Sequence, residues 1–550
     1  MSDLSTVPGL LENAATGSGV VSFLASERED VQVGELWRRS EHAAAYFLDT
    51  VGRDGVVALI METSLDCLVS LLGAWRAGIT TLSLPYPAPS APPDEYRRQL
   101  LDIGRMAGVE LLVLPARLAG LDLEGAVRAA SFRECAAHAR RADIADAGEF
   151  VQFSSGSTGR PKGVRLSSPA IAANVTAILD HMAPHSEGVI ACSWLPLSHD
   201  MGLIGMCLAG LVSMGAPWRG RRLALMPPER MVARPSRWLQ ACSEIGATVT
   251  SAPNFALDLL VAHPGAVPAS VDLRRLKVLI VGSEPIMPGT LRRFGQAMTP
   301  LGFDEAALCP AYGMAEAAVA VTMVPPHGRW RSTAGGPDEA EVVSCGIPLR
   351  CLEVRAPAGW EAAGPIAVRG SSLLTGYLGQ AASPLEGGWL ATSDLGFLSE
   401  GELHVVGRSD DVLVIAGRKL YPELLEETAS RHESVRAGNC AAISDGSGGY
   451  LIVAERRRAS AGADMPDACR WIRRELAVRG GVAPTAVVIV SPGSIPKTPS
   501  GKLQRKRLGQ LHRRGELAVE AELRFGRSRE SDPAFLESGS GWPFGRVSPW

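Results

Sequence analysis

At 550 residues the chain is too long for one ordinary hydrophobic core and predicts about two to four domains or subdomains. An apolar content of 46% and a charged content of 21% are those of a globular protein, and a net charge of −3 gives no electrostatic case for a nucleic-acid or anionic-membrane partner. Ten Cys without a CxxC pair or metal-ligand spacing read as reduced thiols in a cytoplasmic protein, and the N-terminal segment lacks the basic start and apolar core of a signal peptide.

Between residues 31 and 300, strand-like runs alternate with helical stretches. VVALI (56–60) precedes 64–77, LLVL (111–114) and GVIACSWL (188–195) follow, and LKVLIVG (276–282) precedes 288–298. This alternation predicts layered α/β structure with mostly parallel strands. Pro- and Ala-rich residues 84–93 and Gly-rich residues 333–340 read as loops. The longest uncharged run, Met201–Trp218, holds four Gly and a Pro and predicts a buried core helix with its turn, not a membrane span. After Gly364 short strands take over (PIAVRG, GELHVVG, DVLVIAG), which predicts a small β-barrel-like part. Charged residues meet around Ser409 in Arg408–Asp411. Beyond them the pattern gives a smaller α+β unit: strand 411–415, helix 422–431, strand 450–455, helix 466–478, strand 486–490, and a loop with a basic helix over 495–514. The expected organisation is a large domain at 1–408, a hinge at 409–410, a mobile lid at 411–525 and a poorly ordered tail at 526–550.

Residues 150–164 read FVQFSSGSTGRPKGV. Phe150–Phe153 predicts a buried strand, Gly163–Leu166 a second one, and Ser168–Pro169 the cap of the following helix. In the loop between the strands, Gly156, Gly159 and Gly163 let backbone N–H groups turn inward without Cβ clashes. Ser154, Ser155, Ser157 and Thr158 add hydroxyl donors, and Lys162 adds a compact positive charge. A polyphosphate fits this composition; a solvated linker is the competing reading. The order is not GxxxxGK[ST], because Lys162 precedes a Gly and the loop leads to a strand. Lysine is also scarce: six of the 55 basic residues are Lys, at 162, 277, 419, 497, 502 and 506. Four of them fall in the motif-like stretches 160–163, 417–422 and 495–505, so a Lys here is poorly explained as surface decoration.

SSGSTGRPKGV (154–164) resembles the phosphate loop of the adenylate-forming superfamily, which includes acyl-CoA synthetases, nonribosomal-peptide adenylation domains, luciferases and fatty acyl-AMP ligases. The resemblance recurs in order in SWLPLSHDMGLIG (193–205), SAPNFALDL (251–259), AYGMAEA (311–317), VSCGIPL (343–349), DLGFLSEGELHVVGR (394–408), GRKLYPELLEE (417–427) and SIPKTPSGKLQRKRL (494–508). These stretches are most similar to the fatty acyl-AMP ligase branch.

The resemblance implies activation of a carboxylic acid by ATP, with pyrophosphate expelled. It places Ser154, Ser155, Gly156, Ser157, Thr158 and Lys162 on the β- and γ-phosphates. It sets Tyr312 and Gly313, with Met314 beside them, against the adenine, and gives Glu316 the Mg²⁺. Asp394 would accept hydrogen bonds from the ribose hydroxyls, supported by Arg408. Lys502 would ride the lid into the site and bridge the carboxylate and the α-phosphate, with Asp410 as the hinge. His199 matches the residue that gates the acid pocket and touches the carboxylate; a buried His bonded to backbone is the equal alternative. Leu203, Phe255, Gly282, Ser283 and Glu284 would line that pocket.

Three positions depart from the pattern. The usual Thr-Gly-Asp is Thr392-Ser393-Asp394, Lys419 stands where the branch commonly has Asn, and the stretch from Thr322 to Val342 is short for the branch's inserted segment. The acceptor therefore stays open among a carrier-protein thiol, coenzyme A and an amine, and the acid among fatty, aryl and amino acids. A non-catalytic nucleotide-binding homologue is the reading from another class.

Overall fold

The computed structural model describes residues 3–87, 93–121, 123, 125, 127–142, 148–154, 162–182, 188–262, 267–334, 341–415, 418–460, 464–480, 482–497 and 503–525. The chain divides into two compact units, Met1–Val412 with Lys497–Gln504, and Leu413–Pro496 with Arg505–Trp550. The expected tail at 526–550 lies outside the described residues.

Two large sheets build the first unit. In the seven-stranded sheet, Arg128–Ser131, Leu111–Leu114, Val56–Ile60, Thr80–Leu84 and Phe150–Ser154 run parallel, and Lys162–Leu166 and Gly376–Tyr377 close one side antiparallel. The nine-stranded sheet has a parallel centre of Leu308–Gly313, Val278–Val281, Val249–Ala252, Ile190–Ser193 and Arg222–Leu225. Val278–Val281 and Leu111–Leu114 are buried along their whole length. Unbroken apolar runs suit parallel strands because helices cover both faces. A five-stranded antiparallel sheet of Leu352–Arg355, Gly364–Gly370, Trp389–Ser399, Leu385–Glu386 and Glu402–Arg408 supplies the β part expected after Gly364.

The buried helix expected in the uncharged run is a π-helix, Met201–Leu208, that continues as the α-helix Ala209–Val212. Gly202 is required in its first turn, since a Cβ there would lie 2.2 Å from the Pro196 carbonyl oxygen. No described helix is long and apolar enough to cross a membrane. The helix Ser168–Met182 takes its cap from Ser167, whose Oγ accepts the Ala170 N–H at 3.3 Å. The Ser168 hydroxyl instead accepts the Val7 N–H at 2.8 Å, a tertiary bond that outcompetes the local one.

Trp238 is fully buried, and its indole N–H donates to Thr250 Oγ1 at 2.8 Å. Trp238→Ala is expected to lower the stability of this unit by about 3–5 kcal/mol, read as a lower denaturant midpoint at unchanged slope.

In the second unit, a four-stranded sheet runs in the order Val435–Ser444, Tyr450–Arg456, Ala486–Val490, Val519–Arg524, with helices Pro422–Ser430, Met465–Gly480 and Arg505–Arg514. The expected strand 411–415 is shortened to Leu413–Ile415, paired with Arg418–Leu420. Buried carboxylates hold the two residues that flank 496–504. Glu455 Oε1 accepts the Ile495 N–H at 3.0 Å, and Arg505 reaches Glu426 at 2.8 Å and Glu423 at 3.1 Å.

Candidate active site

Tyr312, Asp394 and Arg408 come together through strand register. Trp389–Ser399 and Glu402–Arg408 are antiparallel neighbours, and Asp394 stands directly opposite Arg408. Arg408 Nε lies 3.6 Å from Asp394 Oδ1, a half-exposed ion pair. The Tyr312 hydroxyl donates to Asp394 Oδ2 at 2.6 Å, the short distance of a charge-assisted bond. Burial, then the Asp394 charge, pushes the Tyr312 hydroxyl well above the usual tyrosine range, so it remains a donor. The Thr392 hydroxyl accepts the Asp394 N–H at 3.1 Å and fixes the turn. Ser393, the substitute for the usual Gly, uses its carbonyl to accept both the Ser409 N–H at 2.8 Å and the Ser409 hydroxyl at 3.1 Å.

After Tyr312 the strand bulges, and Gly313 follows where a Cβ would meet the Val319 carbonyl oxygen at 1.8 Å. Only glycine fits that approach. Met314 packs against the core beside it. Glu316 lies in the single turn Ala315–Ala317, and Ala318 then takes φ 65° and ψ −61°. With Val319 N–H bonded to the Ala317 carbonyl at 2.9 Å this is a positive-φ γ-turn, a strained form rarely adopted outside Gly. Glu316 Oε1 accepts the Tyr377 hydroxyl at 3.1 Å. Lys162, exposed at the start of its strand, places Nζ 5.6 Å from the Tyr377 ring centroid. Glu316 and Lys162 are thus assembled around one tyrosine.

His199 lies in the turn before the π-helix. Its Nδ1 is 2.6 Å from Asp200 Oδ1, and the side chain is about a quarter exposed. Gln152, next to the loop strand end, donates to the Ser198 carbonyl at 2.8 Å and ties this turn to the phosphate-loop strand. Leu203 is buried in the π-helix, and Phe255 packs edge-on to Trp194. Ser283 has φ 69°, and its hydroxyl lies 3.1 Å from Met201 Sδ. Glu284 Oε1 accepts the Phe255 N–H at 2.5 Å, so the Gly282–Glu284 turn is bound to the helix carrying Phe255.

Ser155, Gly156, Ser157, Thr158 and Lys502 lie outside the described residues, as does the Ser154 side chain. Tyr377 was not singled out from the sequence. Its sequence signal is rarity: the chain has seven Tyr, and this one stands in TGY (375–377), between the strand-like runs PIAVRG and GELHVVG.

The sequence profile of AMP-binding enzymes matches residues 11–378. The long-chain-fatty-acid–AMP ligase FadD32 of Mycolicibacterium smegmatis is 31% identical over 433 residues, 65% of this chain and 67% of that one. A Mycobacterium tuberculosis protein named as a fatty-acid–CoA ligase, fadD25, is 30% identical, over 93% of this chain and 98% of its own. A solved structure from the fatty acyl-adenylate ligases of E. coli and L. pneumophila superposes with TM-score 0.84 at 24% identity, over 94% of this chain and 100% of its own. McyG A-PCP complexed with phenylalanyl-adenylate gives TM-score 0.79 at 21% identity, over 93% and 83%. The structural likenesses establish the fold and the sequence matches the kinship: the chain belongs to the AMP-binding enzyme family of the adenylate-forming superfamily.

Proposed function

We propose that this ATP-dependent acid ligase activates a fatty or related carboxylic acid as its acyl-AMP and passes the acyl group to a carrier-protein thiol in the cytoplasm. A carboxylate oxygen attacks the α-phosphorus, the bond to the β-phosphate oxygen breaks, and pyrophosphate leaves. The thiol then attacks the acyl carbon, losing its proton, and AMP leaves. Both reactants of the first step are anions, so the protein's work is charge neutralisation and positioning.

The observation that carries this reading is the pair of assemblies on one unit: Asp394 held by Tyr312 beside Arg408, and Glu316 held by Tyr377 beside Lys162. Asp394 has the lone pairs for two ribose hydroxyls. Tyr312, Gly313 and Met314 flank the base. Lys162 and the hydroxyls of 154–158 neutralise the β- and γ-phosphates. Among the described residues no cluster of three metal-ligating side chains occurs, and Glu316 Oε2 bonds to none of them. One such carboxylate fits Mg²⁺, which takes its remaining ligands from phosphate and water. When bound, the ion neutralises charge on the phosphate oxygens. His199 orients the acid's carboxylate, and Leu203, Phe255 and the Gly282–Glu284 turn form the acid's pocket. Lys502 delivers the final positive charge on a lid that turns at Asp410.

Tyr312→Phe removes the 2.6 Å bond to Asp394. It is expected to raise KM for ATP about 10-fold with a smaller change in kcat, as a hydrogen bond to a charged group is worth about 1.5–3 kcal/mol.

A coenzyme A ligase is the second reading, favoured by the short stretch between Thr322 and Val342. The name of the fadD25 relative points the same way. Supplying the enzyme's own acyl-AMP with either a phosphopantetheinylated carrier or coenzyme A separates the two. The first reading expects the thioester on the carrier; acyl-CoA formed with no carrier thioester overturns it.

A further inference from the structure

We propose that Tyr377 is a positioning residue for the metal-phosphate side of the ATP site, its hydroxyl setting the Glu316 carboxylate and its ring face the Lys162 ammonium. This rests on the proposed roles of Glu316 and Lys162.

The segment around Tyr377 is built as a spacer between those two groups. On one side, the Leu374 N–H donates to the Glu316 carbonyl at 2.8 Å. On the other, Gly376–Tyr377 pairs antiparallel with the strand that begins at Lys162, Tyr377 opposite Val164, and the Leu378 N–H donates to the Gly163 carbonyl at 2.8 Å. Thr375 adds its N–H to the Arg165 carbonyl at 2.9 Å and its hydroxyl to Glu149 at 3.0 Å, while Glu149 also pairs with Arg165. The backbone between 374 and 378 therefore has little freedom, and the phenol is carried at a fixed distance from both partners.

The side-chain chemistry is directional. The hydroxyl donates to Glu316 Oε1, which confines the carboxylate to one rotamer and turns Oε2 away from the bond. The Lys162 ammonium at 5.6 Å is within the range at which a ring face attracts a cation. The strained turn at Ala318 supplies a reason for a brace: a carboxylate on a strained single turn needs outside contacts to hold one geometry.

The test is a titration of Mn²⁺ onto the ATP-loaded protein, read by electron paramagnetic resonance, beside metal-free ATP binding by calorimetry. Tyr377→Phe keeps the ring under Lys162 and is expected to weaken Mn²⁺ about 10-fold, the usual effect of removing a group that orients a metal ligand. Metal-free ATP binding should persist, which also shows that the variant is folded. In a Glu316→Gln background, adding Tyr377→Phe should have no further effect, because the phenol acts through that carboxylate. Unchanged Mn²⁺ affinity in Tyr377→Phe, with Glu316→Gln weakened, overturns the inference alone. Unchanged affinity in Glu316→Gln overturns the metal reading beneath it. Equal losses of Mn²⁺ and metal-free ATP binding in Tyr377→Phe would mark the residue as structural and also overturn the inference.

Discussion

Lys502→Ala is expected to slow acyl-adenylate formation by about 10²–10³-fold, the scale on which one preorganised charge or donor at a developing anion contributes. ATP affinity should persist, because the phosphates and ribose are assigned to other groups. Thioester formation from supplied acyl-AMP should persist as well, because the lid is proposed to turn at Asp410 and carry Lys502 away from the phosphate before the transfer step. Ile495 and Arg505, which flank the stretch 496–504, are held by Glu455, Glu426 and Glu423 within the second unit. Single-turnover pyrophosphate release checks the first half, and transfer from purified acyl-AMP the second. Normal pyrophosphate release in the variant would remove Lys502 from the mechanism.

Asp394→Asn carries the second large effect. The carboxylate receives the Tyr312 hydroxyl at 2.6 Å and faces Arg408 at 3.6 Å. An amide in its place turns one acceptor into a donor, which sets it against the tyrosine hydroxyl or against a ribose hydroxyl. The expected loss in kcat/KM for ATP is about 10–100-fold, from charged hydrogen bonds worth about 1.5–3 kcal/mol. The diagnostic is sugar discrimination: the native enzyme should prefer ATP over 2′-deoxy-ATP, and the variant should lose most of that preference. An unchanged preference would take Asp394 off the ribose.

In the two large sheets, Val56–Ile60, Leu111–Leu114 and Val278–Val281 were legible because they are unbroken apolar runs beside Gly- or Pro-marked turns. VVALI, LLVL and the core of LKVLIVG appear where their periodicity placed them. The strands Val435–Ser444 and Val519–Arg524 were not. The first carries Gly438 and Asn439 and a register shift, and the second, VEAELR, is half-exposed and polar, so neither shows an apolar run. The run Met201–Trp218 marked a buried helix but not its π form, because hydrophobicity alone does not reveal hydrogen-bond offset; the close approach of Gly202 to Pro196 depends on tertiary contact. At the site, Asp394 and Arg408 could be tied to chemistry from their motif. That they stand opposite each other follows from register, and that a tyrosine holds each acidic group follows only from the fold. The sequence does not mark Tyr377 because its partners are distant along the chain, Glu316 by 61 residues.

The most direct measurement is ATP–pyrophosphate exchange across a panel of fatty, aryl and amino acids, with mass detection of the adenylates. The account predicts exchange with a restricted set of carboxylic acids, fatty acids foremost, and accumulation of the matching acyl-AMP when no acceptor is present. Exchange with none of them, or ADP and phosphate as the products, would contradict it.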